Sequence, residues 1–558
     1  MTSNLPAEAL GRPRTTLAIA SIAIAVAAAD TYVVVLALAD MMSGVGVGIQ
    51  NLQQAAPIIS GFLLGYVAVL PLVGRVADLT DRRQVLLACL GIFIVGSAVT
   101  ALASSLGVLV AGRVIQGVGG GGLVPATLAL VADRWPAERR GLPLGIVGGV
   151  QEAGAVLGPL LGAAILAVAD WRAIFWLNVA AGALLLLALL VANGGATRRP
   201  SPALLALSVL GAIAWWWTLA PPLSLRRHLT AGLLFIPYVP VPAMTPIATV
   251  AVLSLAARLA LTRRSWWPPL SKADLPGALL FGISLGCVIV TFASAEPERA
   301  AVGPLGYLLL PVAAVAAAGA WWRQRTAHVP LVPRGTMRGR APWALVTSFC
   351  VGAALVAVVV DVPLFANLTQ DAGHVAAALV LVRFLVAVPF GAIVGGWATR
   401  HVGDGTVAGA GLLLAAGALL SMARWDANAL AGLASTISLV AVGFGVGLAI
   451  APVNNAALAD APDWAHGTAA SLVIVARMVG MVVGLALLTS VGLHRYYLAV
   501  RALPADQRAD PNALLGAALV QVHTVFVGAA VVAAIGGVVS FALLGLRRRG
   551  AITRGDEN

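Results

Sequence analysis

The chain alternates between apolar stretches of about 20 residues and short polar connections rich in arginine. A helix rises about 1.5 Å per residue and bilayer hydrocarbon is about 30 Å thick, so each stretch is long enough for one crossing. Candidate spans lie near 17–39, 55–74, 84–103, 108–131, 142–168 and 173–192, then near 203–220, 233–257, 275–294 and 304–322. The pattern resumes near 343–362, 374–397, 406–423, 430–452, 468–491 and 515–546. The runs are continuous and rich in Ala, Leu, Val and Gly, which predicts helices; a membrane barrel has shorter, alternating segments. Arg12 and Arg14 ahead of Ala27-Ala28-Ala29 imitate a cleaved signal peptide, but the apolar stretch resumes at Tyr32, so it is read as a retained first span.

Composition supports lipid as the solvent. Only 10% of the 558 residues are charged and 60% are hydrophobic, against about 25% charged in soluble domains. The net charge of +13 lies in clusters between spans, as the positive-inside rule requires, and does not signal nucleic acid. Clusters at Arg75/Arg82/Arg83, Arg134/Arg139/Arg140, Arg198/Arg199, Arg263/Arg264/Lys272 and Arg323–Arg340 alternate with loops poorer in cations. That alternation predicts a multi-pass bacterial inner-membrane protein with both termini cytoplasmic, and hence an even number of spans. Omitting the pair within 203–257 preserves the parity. Cys89, Cys287 and Cys350 all lie in apolar runs and indicate neither a disulfide framework nor a metal site.

The expected fold is an all-α polytopic membrane protein of two six-helix bundles. The divisions are a tail at 1–16, a bundle at 17–197, a linker region at 198–341, a bundle at 342–546 and a tail at 547–558. The linker carries two or four extra spans, and its Trp- and Pro-rich segments suit membrane-interface anchors. Two such halves suit alternating access.

Several motifs carry more specific chemistry. Gly74-Arg75-Val76-Ala77-Asp78-Leu79-Thr80-Asp81-Arg82-Arg83 joins the second and third spans, where an acid and paired arginines can clamp helix ends together; a merely solvated loop is the plainer reading. Gly395-Gly396-Trp397-Ala398-Thr399-Arg400 is a faint echo at the matching place in the second half. Arg113-Val114-Ile115-Gln116-Gly117 lies inside the fourth span. In the fifth, Gly154, Gly158 and Gly162 recur every four residues beside Pro159, giving a smooth face on which another helix can pack.

These segments resemble the major facilitator superfamily: its loop signature (with Leu79 for the usual cation and Asp81 for the usual glycine), its intramembrane Arg-x-x-Gln-Gly, and the Gly-x-x-x-Gly-Pro-x-x-Gly helix of its antiporters. Trp171-Arg172-Ala173-Ile174-Phe175-Trp176-Leu177-Asn178 resembles the sixth-span opening of the fourteen-span drug:proton antiporters. Asp30-Thr31-Tyr32, Gln151-Glu152, Arg383-Phe384 and Arg477-Met478 resemble mycobacterial-type drug and acylglycerol-lipid exporters. The resemblance implies a proton gradient as the only driving cofactor, a hydrophobic drug or lipid as substrate, a periplasmic lipoprotein as partner and a monomer among membrane lipids.

Asp30, Glu152, Arg113, Arg383 and Arg477 are charges inside apolar spans. A charge near the bilayer centre costs at least about 2.5–3.5 kcal/mol, so each should face the protein interior and pair. Asp30 and Glu152 are the expected proton carriers. The superfamily arrangement implies Arg113 as the partner of Asp30, with Arg477 or Arg383 meeting Glu152 across the halves. Asp361 is expected near the outer end of its span, as a cap. His523 reads as a packing residue, and His466 as an unremarkable loop residue. An intramembrane enzyme lacks its nucleophile or metal motif here, and a channel does not explain the two halves. Proton-coupled export is the expected function, with drug and lipid cargo both open.

Overall fold

The computed structural model describes residues 13–47, 52–136, 138–192, 202–219, 246–293, 306–370, 374–504, 507 and 510–545. Among these residues there is no strand, and eleven helices are long and apolar enough to cross a membrane. The first set is α1 (Pro13–Gly44), α2 (Leu52–Leu79), α3 (Arg82–Ala101), α4 (Leu106–Arg134), α5 (Gly141–Leu166) and α6 (Arg172–Ala192). Next come α7 (Pro202–Leu219), α8 (Pro246–Ser271), α9 (Leu275–Ala293) and α10 (Gly306–Thr326). The last set is α11 (Ala341–Gln370), α12 (His374–Val402), α13 (Asp404–Met422), α14 (Leu433–Ala459), α15 (His466–Ala502) and α16 (Pro511–Val539). Helices overrun the apolar stretches because backbone hydrogen bonding continues past the hydrocarbon edge. α15, at 37 residues, is the longest among those described.

One hydrophobic core gathers residues from α11 to α16, another mainly from α1 to α5. The two halves repeat one packing scheme. Gly154 and Gly158 of α5 press on Ala25 and Ala29 of α1, and Gly480 and Gly484 of α15 press on Phe349 and Ala353 of α11. Likewise Gly117 of α4 meets Phe62 of α2, while Gly443 of α14 meets Phe384 of α12. A Cβ at any of these glycines would collide with the neighbouring helix, which is why small residues hold the interfaces in lipid.

In the linker, α7 packs on α8 with Gly211 against Ser254, and α9 leans on α2 with Gly282 beside Ala68. Arg323 on α10 bonds Asp274 at the start of α9 at 2.6 Å, tying that pair together. The expected span at 233–257 is helical from Pro246, and its earlier part lies outside the described residues.

The halves meet at the end carrying the α2–α3 connection. There Gly74 of α2 abuts Gly467 and Ser471 of α15, and Gly141 of α5 abuts Gly396 and Thr399 of α12. The space between the halves opens beyond this contact.

Candidate functional site

That space is a cavity of about 610 Å³. Its wall is chiefly aliphatic and aromatic, built from α1, α2, α4 and α5 on one side and from α11, α12 and α15 on the other. Polar groups are few: Thr31, Tyr66, Gln151, Glu152, Asn367 and Arg477. Glu152 is buried, and its Oε1 accepts from Arg477 Nη1 at 3.3 Å. This ion pair joins α5 of one half to α15 of the other, within the cavity wall. Arg383 does not approach Glu152; it donates to Thr436 Oγ1 at 2.9 Å, between α12 and α14.

The second pair lies behind the wall. Asp30 and Arg113 are each 1% exposed, and Arg113 Nη1 donates to Asp30 Oδ2. Asn178 of α6 donates to the other carboxylate oxygen at 2.6 Å. Arg113 also donates to Gln116 Oε1 at 2.7 Å and to the Ile58 carbonyl at 3.3 Å, and Gln116 in turn donates to Ser97 Oγ at 2.9 Å. Side chains or carbonyls from α1, α2, α3, α4 and α6 thus satisfy one buried ion pair, as desolvated charges require. The Phe62 ring lies 4.5 Å from the guanidinium carbon and the Phe175 ring 5.8 Å from it.

The glycine face of α5 positions these groups relative to each other. Gly154, Gly158 and Gly162 lie against Ala25, Ala29 and Val33 of α1, so the helix carrying Glu152 rides on the turn of α1 that carries Asp30. Pro159 lies within the same helix. Asn178 stood in the quoted sixth-span segment, and a polar residue inside a span was the signal for its role. Phe62 had no such signal, because one aromatic among many apolar residues does not announce a cation beside it.

The α2–α3 connection forms a clamp. The Asp78 carboxylate accepts from the backbone N–H groups of Gly467 and Thr468 at 2.6 and 2.9 Å, and from Thr468 Oγ1 at 2.6 Å. An acid of one half therefore sits on the N-terminus of α15 in the other, where orphan amides and the helix dipole favour it. Arg82 lies 3.4 Å from Asp78 and 3.2 Å from Asp133. Asp81, at the position where the loop signature has glycine, caps α3 by accepting from the Arg83 amide at 3.0 Å.

Two expectations are corrected. Asp361 is not a cap: α11 runs on to Gln370, Asp361 is 1% exposed, and its Oδ2 has no hydrogen-bond donor. The reason is that α11 continues for nine residues past it, beyond the apolar stretch read from the sequence. His466 is not a bland loop residue: it begins α15, is buried, and its Nδ1 lies 3.3 Å from Asp133 of the other half. His523 is the satisfied packing residue expected, 2.7 Å from the Trp425 carbonyl.

The chain is 34% identical over 565 aligned residues to a triacylglyceride transporter of Mycolicibacterium smegmatis, covering 96% of this chain and 87% of that one. It is 35% identical over 518 residues to a triacylglyceride transporter of Mycobacterium tuberculosis, covering 90% and 86%. Among solved structures, a proton:xylose symporter aligns over 94% of both chains with a TM-score of 0.55 at 12% identity, a likeness of fold. The Major Facilitator Superfamily profile matches residues 20–485. The chain belongs to the Major Facilitator Superfamily, a multi-pass transporter of two helical bundles around a central cavity.

Proposed function

We propose that this transporter is a proton-coupled exporter of lipid-like hydrophobic cargo, working by alternating access in the bacterial inner membrane. The observation that carries the reading is the cavity: about 610 Å³ of chiefly apolar wall, crossed by one acid–arginine pair that links the halves. A sugar or amino acid site would need many converging hydrogen-bonding groups, whereas an apolar wall is matched to acyl chains. With both termini in the cytoplasm, the clamp closes the cytoplasmic side and the conformation faces outward.

In this reading Asp30 and Glu152 carry the protons. Ionised Glu152 holds Arg477 across the cleft; a proton on Glu152 cancels that attraction and frees α5 from α15. Cargo and proton then use the same cavity in turn, as antiport requires. The triacylglyceride names of the relatives favour an acylglycerol lipid over a drug as cargo. A lipoprotein on the periplasmic side would receive so insoluble a product, and a monomer suffices because one chain supplies both halves.

The test is transport in proteoliposomes under an imposed pH gradient, with labelled triacylglycerol and a lipophilic dye compared as cargo. Wild-type protein should move the triacylglycerol faster when the gradient is present. Asp30→Asn and Glu152→Gln, inserted at normal levels, should lose the gradient-driven part. Full gradient-driven export by both variants would overturn the proton assignment, and dye export without lipid export would overturn the lipid assignment.

A further inference from the structure

The buried pair and the cargo cavity are separate spaces, yet antiport requires each to sense the other. Asp30 and Arg113 are not among the residues that line the cavity, so cargo in it does not touch them. The Phe62 side chain borders both. Phe62 is part of the cavity wall, beside Ile59, Leu63 and Tyr66 on the same face of α2. The ring is fully buried, with one side toward the Arg113 guanidinium, its centroid 4.5 Å away. Its tip points toward Gly120 of α4, also in the cavity wall, and would be in van der Waals contact with a Cβ there.

We propose that Phe62 is the coupling residue that transmits cargo occupancy to the Asp30 proton site. An aromatic face attracts a guanidinium through its quadrupole, more strongly where water is excluded. Cargo pressing on Ile59 and Leu63, the partly exposed wall residues beside it on α2, shifts the ring, and Arg113 loses that contact. Arg113 is then held by its oxygen partners alone, Asp30, Gln116 and the Ile58 carbonyl, favouring ionised Asp30 and release of its proton. The reverse step follows from linkage: a proton on Asp30 slackens Arg113, lets it rest on the ring, and disfavours cargo by the same factor. The backbone of Phe62 is fixed by Gly117 of α4, so movement falls to the ring.

Other ionisable groups inside the helices round α1 are Tyr66 on α2, Cys89 on α3 and Glu152 on α5, with Arg477 opposite, while Arg75 and Asp78 on α2, Arg82 and Arg83 on α3, Asp133 and Arg134 on α4 and Arg172 on α6 lie toward the helix ends. Asp30→Asn therefore serves as the reference that singles out Asp30. The inference rests on the proton-coupled reading above. The experiment measures binding of NBD-labelled triacylglycerol to the full chain in nanodiscs across pH, for wild type, Asp30→Asn, Phe62→Leu, Phe62→Met and Phe62→Trp. Wild-type affinity should change with pH by about fivefold or more, the usual lower range of coupling between sites, and Asp30→Asn should flatten that dependence. Phe62→Leu and Phe62→Met keep an apolar wall without a π face. They should still bind the lipid but follow the flat Asp30→Asn curve, while Phe62→Trp restores the slope. The two aliphatic variants serve as independent replacements should one fail to fold. Wild-type pH dependence in both would overturn the role of Phe62. A flat wild type, or an Asp30→Asn variant as steep as wild type, would instead overturn the proton reading and the coupling with it.

Discussion

At the scale of single residues, two buried aspartates show how partners decide the consequence of a charge. Asp30 receives donors from Arg113 and Asn178, whereas Asp361 has an oxygen with no donor at all. Removing one member of a satisfied buried pair strands the other, at about 3–5 kcal/mol. Removing an unsatisfied buried polar group instead relieves a cost of about 1–3 kcal/mol. Asp30→Val should therefore lower the melting temperature in nanodiscs, and Asp361→Val should leave it unchanged or raise it. Equal destabilisation by both would refute this account. Asp30 was visible in the sequence as an acid inside an apolar run and Asp361 as an acid toward the end of one; which of them has donors was not legible, because the donors to Asp30 come from α4 and α6, far along the chain.

At the scale of helices, the clamp depends on a carboxylate meeting a helix N-terminus in the other half. The Asp78 bonds to Gly467 and Thr468 act only while α2 and α15 are together. A cap of this kind contributes about 1 kcal/mol, so Asp78→Asn with Thr468→Val should shift the equilibrium away from the closed clamp. Spin labels at Gln84 and Trp464, on opposite sides of the junction, should report a larger population of long distances. An unchanged distance distribution would show that glycine packing alone, at Gly74 and Gly141, holds the closure. The loop motif was readable as a clamp, and Asp81 as a departure from the usual glycine. The part played by the first turn of α15, with His466 on Asp133, was not, because its sequence gives no sign of what lies opposite.

At the scale of the molecule, the linker helices α7 and α8 pack on each other and only lightly on the rest, while α9 lies along α2. Excising residues 198–271 should therefore leave the two bundles folded, with a melting temperature close to that of the full chain. A collapse of the melting temperature would mean that the pair braces the bundles. Removing two helices keeps the parity of crossings, so insertion should proceed normally.

The membrane fold, the paired halves and the small-residue faces were all determined by the sequence itself. Apolar run length, cation clusters and four-residue glycine spacing are local quantities, set by bilayer thickness and helix geometry. Tertiary structure alone decided the partners. It placed Arg477 rather than Arg383 on Glu152, set Asn178 on Asp30, and laid Phe62 between the cavity and Arg113. An ion pair or ring contact forms between surfaces whose separation along the chain reaches hundreds of residues. The angle and depth at which helices pack choose that contact, and both arise only when all the interfaces are satisfied together.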